Sequence, residues 1–346
     1  MFHSVLVSGA TGFIASHAIE RLLAQGHSVK GTVRDPKSTT KNAHVLAMPG
    51  AKERLTLVAA DLNDADPFSA HVMDVDTIMH MASPYVINVK DPQRDLVDPA
   101  VNGTLSMLKA AAKSKTVKRV VLTSSVAAIT DEPDGQVLTE ADWNTRSSLT
   151  RNPYYYSKTL AERAAWDFME REKPAFDLVV INPFLVVGPS HTNAINSSNQ
   201  ILVDIIKGQY PAVLALDWGF VDVRDVADAH IAAMEMPSAE GRYITASANM
   251  DMTDLVALMR KCGYGHTKLP KVSLTGGFGT GLMKLVSYTQ PQGVGSYLRT
   301  HLGRVPRFDH SKSVRDLGLR YRTPETSIRD TLADLAKWGH IPEPIL

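Results

Sequence analysis

The chain is poor in what several specialised function classes need. Of its 346 residues only one is cysteine, Cys262, so no internal disulfide can form and a bridge-stapled secreted scaffold is excluded. Twelve histidines are scattered along it without an HExxH pair or a Cys/His ligand spacing, and no metal chemistry is expected. Neither sign of charge is in excess. Lys plus Arg total 37 against 36 Asp plus Glu, a net charge of +1, so bulk charge offers a polyanion no attraction and nucleic acid is not an expected partner. Long apolar runs are also missing: a window such as 272–286 is broken by glycines and Lys284 and is too short to span a bilayer, so no membrane partner is expected. No basic-then-apolar leader stands ahead of the first apolar stretch, and with the lone cysteine this gives the expectation of a reducing, cytoplasmic setting.

What is present begins almost at once. Ser4-Val5-Leu6-Val7 reads as a short buried strand, followed by Ser8-Gly9-Ala10-Thr11-Gly12-Phe13-Ile14-Ala15 and an amphipathic segment over 16–25. A strand running into a glycine turn and then a helix is the context in which such a turn holds a dinucleotide. Gly9 can turn tightly and Gly12 lets backbone N–H groups approach a pyrophosphate at the positive helix end, while Ala15 only has to pack helix on strand. Gly9, Thr11, Gly12, Phe13 and Ile14 are the expected cradle. A second strand over 29–33 ends at Val33, where a cofactor with a free 2′-hydroxyl would find an acidic residue. Arg34 follows, with Lys37 and Lys41 behind it, which favours a 2′-phosphate and therefore NADP(H) over NAD. Asp35 could instead neutralise Arg34 or address the ribose itself.

Strands over 55–59, 77–81 and 119–123 follow, with a helix over 101–113, and the alternation predicts a Rossmann-type, doubly wound parallel α/β sheet. Because ligands bind at the carboxyl ends of such strands, Asp61, Leu62, Ala82, Ser83 and Thr123 are expected along the cofactor, although Asp61 could equally be a helix cap. The fifth strand runs into Thr123-Ser124-Ser125-Val126, and the chain then reaches Asn152-Pro153-Tyr154-Tyr155-Tyr156-Ser157-Lys158. Four residues apart on a helix, Tyr154 and Lys158 share a face, so an ammonium can stabilise a phenolate whose ordinary pKa of about 10 is too high for proton transfer near neutrality. A serine at the neighbouring strand end can hydrogen-bond the same oxygen.

With those residues the chain resembles an extended short-chain dehydrogenase/reductase, and within it the branch of dihydroflavonol reductases, cinnamoyl-CoA reductases and microbial NADPH-dependent aldehyde or methylglyoxal reductases. The resemblance runs over almost the whole length, through Gly9 to Ala15, Gly31-Thr32-Val33-Arg34-Asp35, Met81-Ala82-Ser83-Pro84, Thr123-Ser124-Ser125, Tyr154 with Lys158, Asn182-Pro183 and Phe220-Val221-Asp222-Val223-Arg224-Asp225-Val226. It implies Ser125, with Ser124 as fallback, Tyr154 and Lys158 as catalytic residues, and places Lys158 at the nicotinamide ribose and Pro183 and Val186 beside the nicotinamide. It implies hydride transfer from the pro-S face to a small-molecule aldehyde or ketone. The plant cinnamoyl-CoA reductase signature Asn-Trp-Tyr-Cys-Tyr-Gly-Lys loses its Trp, Cys and Gly at 152–158, so a CoA thioester is not the expected substrate. Nucleotide-sugar epimerases or dehydratases and hydroxysteroid dehydrogenases share the scaffold and are the alternatives, with a non-catalytic NADP-sensing scaffold behind them.

Residues 1–188 and about 220–247 are expected to form the cofactor domain, and about 189–219 and 248–346 a smaller C-terminal substrate lobe. A sixth strand is expected over 177–189, helices over 200–207, 252–260 and 327–338, and a flexible loop at Gly276-Gly277-Phe278-Gly279. Substrate selection is expected in 190–208 and around 218–221, with Pro84, Val126, Trp218 and Phe220 at the pocket. Relatives often pair through helices beside the tyrosine, so the chain is expected to be a monomer or a homodimer.

Overall fold

The computed structural model describes residues 2–62, 64, 66–83 and 90–345. Pro84, expected at the substrate pocket, lies outside them. The principal strands are β1 Ser4–Val7, β2 Ser28–Val33, β3 Leu55–Ala59, β4 Thr77–His80, β5 Arg119–Thr123, β6 Asp177–Pro183, β7 Leu185–Val187, β8 Asp217–Asp222, β9 Gly241–Thr245 and β10 Ala248–Asp251. Seven of them form one sheet in the order β9-β6-β5-β4-β1-β2-β3, and every neighbouring pair is parallel. Strands such as β5 and β6 read as nearly unbroken apolar runs because helices cover both faces of the sheet.

The helices that matter here are α1 Phe13–Ala24, α2 Thr39–Leu46, α3 Asp98–Lys113, α4 Pro153–Glu172, α5 Ser197–Ile206, α6 Val223–Glu235, α7 Met252–Met259, α8 Gly277–Val286, α9 Gln292–His301 and α10 Pro324–Lys337. On one face α1 packs on α6, around Val5, Val7, Ile19, Leu22 and Leu23; on the other α3 packs on α4, around Leu6, Ile78, Met107 and Phe168. The chain leaves β1 and β4 for opposite faces, so between their ends the sheet opens a crevice.

A second apolar core, built from Leu202, Val203, Trp218, Phe220, Leu255, Val256, Ile328 and Leu332, gathers α5, β8, α7 and α10. Its three-stranded sheet has the order β10-β8-β7. Several expectations change here. The run 177–189 is two strands in two sheets, because the chain leaves the large sheet after Pro183, where the Phe184 N–H bonds the Thr245 carbonyl at 3.0 Å. Phe220 to Asp222 lie in the small sheet, and the chain rejoins the large layers only with α6. Helix α3 starts at Asp98, behind a π-helical turn over Gln93–Val97. The glycines at 276–279 open α8 rather than a loop: Gly276 is its N-cap, behind the two-residue strand Ser273–Leu274, and Gly279 lies so close to the Leu274 backbone that a Cβ would overlap it. Among the described residues no helix is long and apolar enough to cross a membrane.

Candidate active site

Gly9, at φ +67°, turns the chain out of β1, and a Cβ there would stand 3.1 Å from the Cβ of Ala82 at the end of β4. The two strand ends therefore nearly touch across the crevice. Thr32 holds the turn, its Oγ1 accepting the Gly9 N–H at 3.1 Å and its carbonyl the Ala10 N–H at 2.9 Å. Gly12 is the extended N-cap of α1, with no side-chain cap and no acidic residue in the first turn, so this helix end is left for an external anion. Thr11, Phe13 and Ile14 stay partly accessible at that end. An orphaned helix end beside glycines that a side chain would fill fits a dinucleotide pyrophosphate.

The second strand end carries the charge. Val33 is buried in the core, 6% exposed, whereas Arg34 and Lys41 are exposed. Asp35 turns away from Arg34: its Oδ1 accepts the Lys37 N–H at 3.0 Å and its carbonyl accepts from Asn42 Nδ2 at 2.9 Å. Ser38 caps α2 through the Lys41 N–H. The guanidinium thus stands in the open next to the crevice. Asp61 and Leu62 follow β3, and Leu62 packs against Gly103 of α3.

The catalytic candidates sit on denser support. Tyr154 and Lys158 project from the first turns of α4, whose N-cap, Asn152, adopts the left-handed conformation at φ 48° that asparagine tolerates better than most residues. Asn152 is fixed by α9: its N–H donates to Ser296 Oγ at 3.0 Å and its Nδ2 to Thr300 Oγ1 at 3.1 Å. Lys158 is 8% exposed, lies 6.0 Å from the Tyr154 ring centroid, and donates to Ser83 Oγ at 3.0 Å. Burial lowers its pKa to about 8, against the pull of Glu162.

Glu162, one further turn along α4 with a fully buried side chain, is the hub. It accepts from Ser124 Oγ at 2.5 Å, Asn182 Nδ2 at 2.7 Å, Arg242 Nε at 2.6 Å and Trp166 Nε1 at 3.3 Å. That environment makes a buried carboxylate tolerable. It also separates the two serines: the Ser124 hydroxyl is spent on Glu162, whereas Ser125 Oγ accepts the Ala127 N–H at 3.1 Å and keeps its proton to donate. Asn182 Nδ2 also reaches the Ser125 carbonyl at 3.1 Å.

Two buried histidines complete the frame. Ser8 Oγ accepts the Met81 and Ala82 N–H groups, each at 2.9 Å, so its own hydrogen goes to His80 Nδ1, also at 2.9 Å. Desolvation, aided by the Lys158 charge, lowers His80 to about 3, so it is neutral. Thr123 Oγ1 lies 2.7 Å from His230 Nε2, and His230 Nδ1 lies 2.7 Å from the Val226 carbonyl; only Nδ1 can donate there, so Thr123 donates to the ring. Burial lowers His230 to about 4.

The structure brings the expected residues together unevenly. Gly9 to Gly12, Arg34, Asp61, Leu62, Ala82, Ser83, Thr123, Ser125, Val126, Tyr154, Lys158 and Pro183 stand at or just past carboxyl ends of parallel strands or on α4, whereas Phe13 and Ile14 open α1, Lys41 stands on α2 and Val186 lies in the middle of β7 in the small sheet. Trp218 and Phe220 do not present an open face: they are 2% and 3% exposed in the second core, and Trp218 Nε1 donates to Tyr297 Oη at 3.0 Å. Within 190–208, where substrate selection is expected, α5 buries Leu202, Val203, Ile205 and Ile206. Ser8, His80, Asn152 and Glu162 were missed. Glu162 carried a signal, being four residues beyond Lys158 on the face that starts with Tyr154.

Comparison with known proteins agrees with this geometry. Residues 5–246 match the NAD dependent epimerase/dehydratase family, and the chain belongs to that family. It is 37% identical over 341 residues to a cinnamoyl-CoA reductase of Medicago truncatula, covering 96% of this chain and 95% of that one. To tetraketide alpha-pyrone reductase 1 of Arabidopsis thaliana it is 34% identical, over 97% of this chain and 96% of the relative. Among solved structures, Gre2 of Candida albicans in complex with NADPH superimposes with a TM-score of 0.80 at 32% identity, covering 97% of this chain and 99% of that one. The yeast methylglyoxal/isovaleraldehyde reductase complexed with NADPH gives 0.79 at 29%, over 98% and 100%.

Proposed function

We propose that the chain is an NADP(H)-dependent oxidoreductase that reduces an aldehyde or ketone to an alcohol, and runs in reverse when alcohol and oxidised cofactor are in excess. The observation that carries this reading is the buried ammonium of Lys158, one helical turn from Tyr154 and bonded to Ser83 at the crevice. Full-length likeness to reductases, two of them solved with NADPH, supports it. When bound, NADPH supplies the hydride. Tyr154 gives its phenolic proton to the carbonyl oxygen, and the cation at Lys158 stabilises the phenolate left behind. Ser125, whose hydrogen is not committed elsewhere, donates to the same oxygen as charge builds on it. Gly9 to Ile14 hold the pyrophosphate, Arg34 meets the 2′-phosphate with paired charge-assisted hydrogen bonds, and Lys158 also has donors for the nicotinamide ribose.

The substrate class we infer is a free aldehyde or ketone rather than an acyl-CoA thioester, because Pro153, Tyr155 and Ser157 replace the Trp, Cys and Gly of the plant signature. A panel of aliphatic and aryl aldehydes, dicarbonyls, flavanonols and acyl-CoA thioesters, with NADPH consumption followed by absorbance, tests both halves. Turnover of aldehydes with NADPH is expected; no turnover of any carbonyl, together with cofactor absorbance that stays with the purified protein, would move the assignment to the epimerases of the same family. The division into a cofactor domain and a substrate lobe, a cytoplasmic setting and a monomeric or homodimeric state belong to the same reading.

A further inference from the structure

Outside the active site, on the flank of α1, three side chains meet whose chemistry the reductase reaction does not use. His17 and Glu20 are three apart on α1 and so share a face, and His191 reaches them from the segment beyond β7; their ligand atoms lie within 4.8 Å of one another. His17 Nδ1 is 3.9 Å from Glu20 Oε2, and His191 Nε2 is 3.6 Å from Glu20 Oε1. The two rings lie with centroids 4.2 Å apart.

The hydrogen bonds behind the rings decide which nitrogens carry lone pairs. His17 Nε2 lies 2.9 Å from the Pro189 carbonyl, which can only accept, so Nε2 bears the hydrogen and Nδ1 is a bare lone pair. That Nδ1 is buried without a hydrogen-bond partner, in a residue only 4% exposed. Ser16 Oγ gives its hydrogen to the Phe13 carbonyl at 3.1 Å, so it accepts from His191 Nδ1, also at 3.1 Å, and His191 Nε2 is left as the second lone pair. Each imidazole is thus held from behind by an oxygen while the opposite nitrogen faces Glu20, the arrangement that orients metal-ligating histidines. Arg21 competes weakly for Glu20, at 3.6 Å, because its Nε is bonded to Asp228 at 2.9 Å.

We propose that His17 Nδ1, Glu20 and His191 Nε2 form a binding site for a first-row divalent cation of the zinc type, joining α1 to the segment that follows β7. Two nitrogens and a carboxylate suit such an ion, with the remaining position left to water. Tetrahedral ligands about 2.0–2.1 Å from the metal stand about 3.4 Å apart, so the three ligand atoms, which lie within 4.8 Å of one another, draw together by up to about 1.4 Å on binding. Glu20 and His191 keep part of their surface open and provide the way in. The ion would tie the helix bearing the glycine turn to the chain leaving Val187, a structural cross-link rather than a participant in carbonyl chemistry.

The test uses the full chain, stripped with a chelator and freed of it, titrated with Co²⁺ alone and then with Zn²⁺ alone. Wild type is expected to take up one Co²⁺ per chain with the visible absorption of a low-coordinate nitrogen/oxygen site, to lose that absorption when Zn²⁺ displaces it, and to melt at a higher temperature with Zn²⁺ than without, since a ligand that binds only the native state stabilises it. Glu20→Gln and His191→Ala, at partly exposed positions, should weaken uptake at least tenfold and abolish the thermal shift, while NADPH binding shows that each variant is folded. His17→Ala opens the core and serves only as a third arm. Absence of stoichiometric uptake by wild type would overturn the site, and so would uptake unchanged in both Glu20→Gln and His191→Ala, which would assign the ion to scattered surface histidines.

Discussion

The two ends of the crevice are built on opposite plans. At the Ser125–Lys158 end the side chains rest on a buried network in which Glu162 binds Ser124, Asn182, Arg242 and Trp166, while Asn152 is fixed by Ser296 and Thr300. At the Arg34–Lys41 end the cations stand exposed just past β2 and on α2, and Asp35 is occupied with its own turn. Proton transfer needs groups held to within fractions of an ångström, which low-dielectric packing and satisfied hydrogen bonds provide. Recognition of a doubly charged phosphate needs only that cations can reach it, and a long side chain in water can fold onto its ligand. The difference predicts that changes at the first end cost rate or fold, whereas changes at the second cost cofactor affinity alone.

The largest effect falls on Tyr154→Phe, which keeps the ring and removes the transferable proton; turnover should drop by about 10² to 10⁴ with NADPH affinity nearly unchanged. Near-normal turnover of that variant, with loss in Tyr155→Phe or Tyr156→Phe, would shift the donor along the tyrosine run. Glu162→Leu tests the hub. It strands the buried Arg242 guanidinium and leaves Asn182 and Ser124 short of an acceptor, so urea unfolding should show a loss of about 3–5 kcal/mol. A loss below about 1 kcal/mol would mean that the network is dispensable and that the comparison between the two ends is wrong.

Lys158 gives the rigid end a pH signature. Reduction requires the Tyr154 proton and the Lys158 cation, and both are lost as pH rises. With Lys158 lowered from 10.5 to about 8 by burial, kcat/KM for NADPH should fall about tenfold per pH unit above about pH 8. Folding runs the other way: between about 8 and 10.5 the unfolded chain binds the proton more tightly, so this group's contribution to stability rises with pH across that window. A rate flat to pH 10 would break the assignment.

The sequence disclosed the sheet end far better than the second core. Glycine spacing, strand alternation and the Tyr154–Lys158 interval are local, and local signals survive in a linear reading. The helix expected over 200–207 is present as α5, but the burial of its apolar face and of Trp218 and Phe220 is not legible in the linear sequence, because tertiary packing turns those positions inward. The choice between Ser124 and Ser125 depends on Glu162, 38 residues from Ser124, and the His17–Glu20–His191 cluster relies on a contact of His191 with Ser16, 175 residues away, that only the fold brings about. Val33 shows a subtler limit: spacing marks it as the ribose position, but its side chain belongs to the core, so an Asp there would bury a carboxylate before it met any ribose.

The exposed end is therefore best tested through its cations. Arg34→Ala should raise KM for NADPH about tenfold or more, because a hydrogen bond to a charged group is worth about 1.5–3 kcal/mol, and should leave NADH kinetics almost unmoved. Equal KM values for the two cofactors in wild type would instead make Asp35 the ribose ligand and Arg34 a solvated bystander.

Lys41→Ala is the smallest effect and the sharpest check on how the phosphate end works. Lys41 is exposed, and its ordered contact is the backbone N–H that Ser38 Oγ receives, so its ammonium acts on a 2′-phosphate as a screened point charge. Exposed pairs of that kind contribute about 0.2–1 kcal/mol, so KM for NADPH should rise only about two- to fivefold at low salt. Raising the salt to about 0.5 M, where screening reaches well inside ~10 Å, should erase most of that difference. The Arg34→Ala penalty should persist under the same conditions, since bidentate contact is not replaced by counterions. If Lys41→Ala costs as much as Arg34→Ala, and keeps that cost in salt, then the lysine is an ordered ligand and the exposed end is as preorganised as the catalytic one.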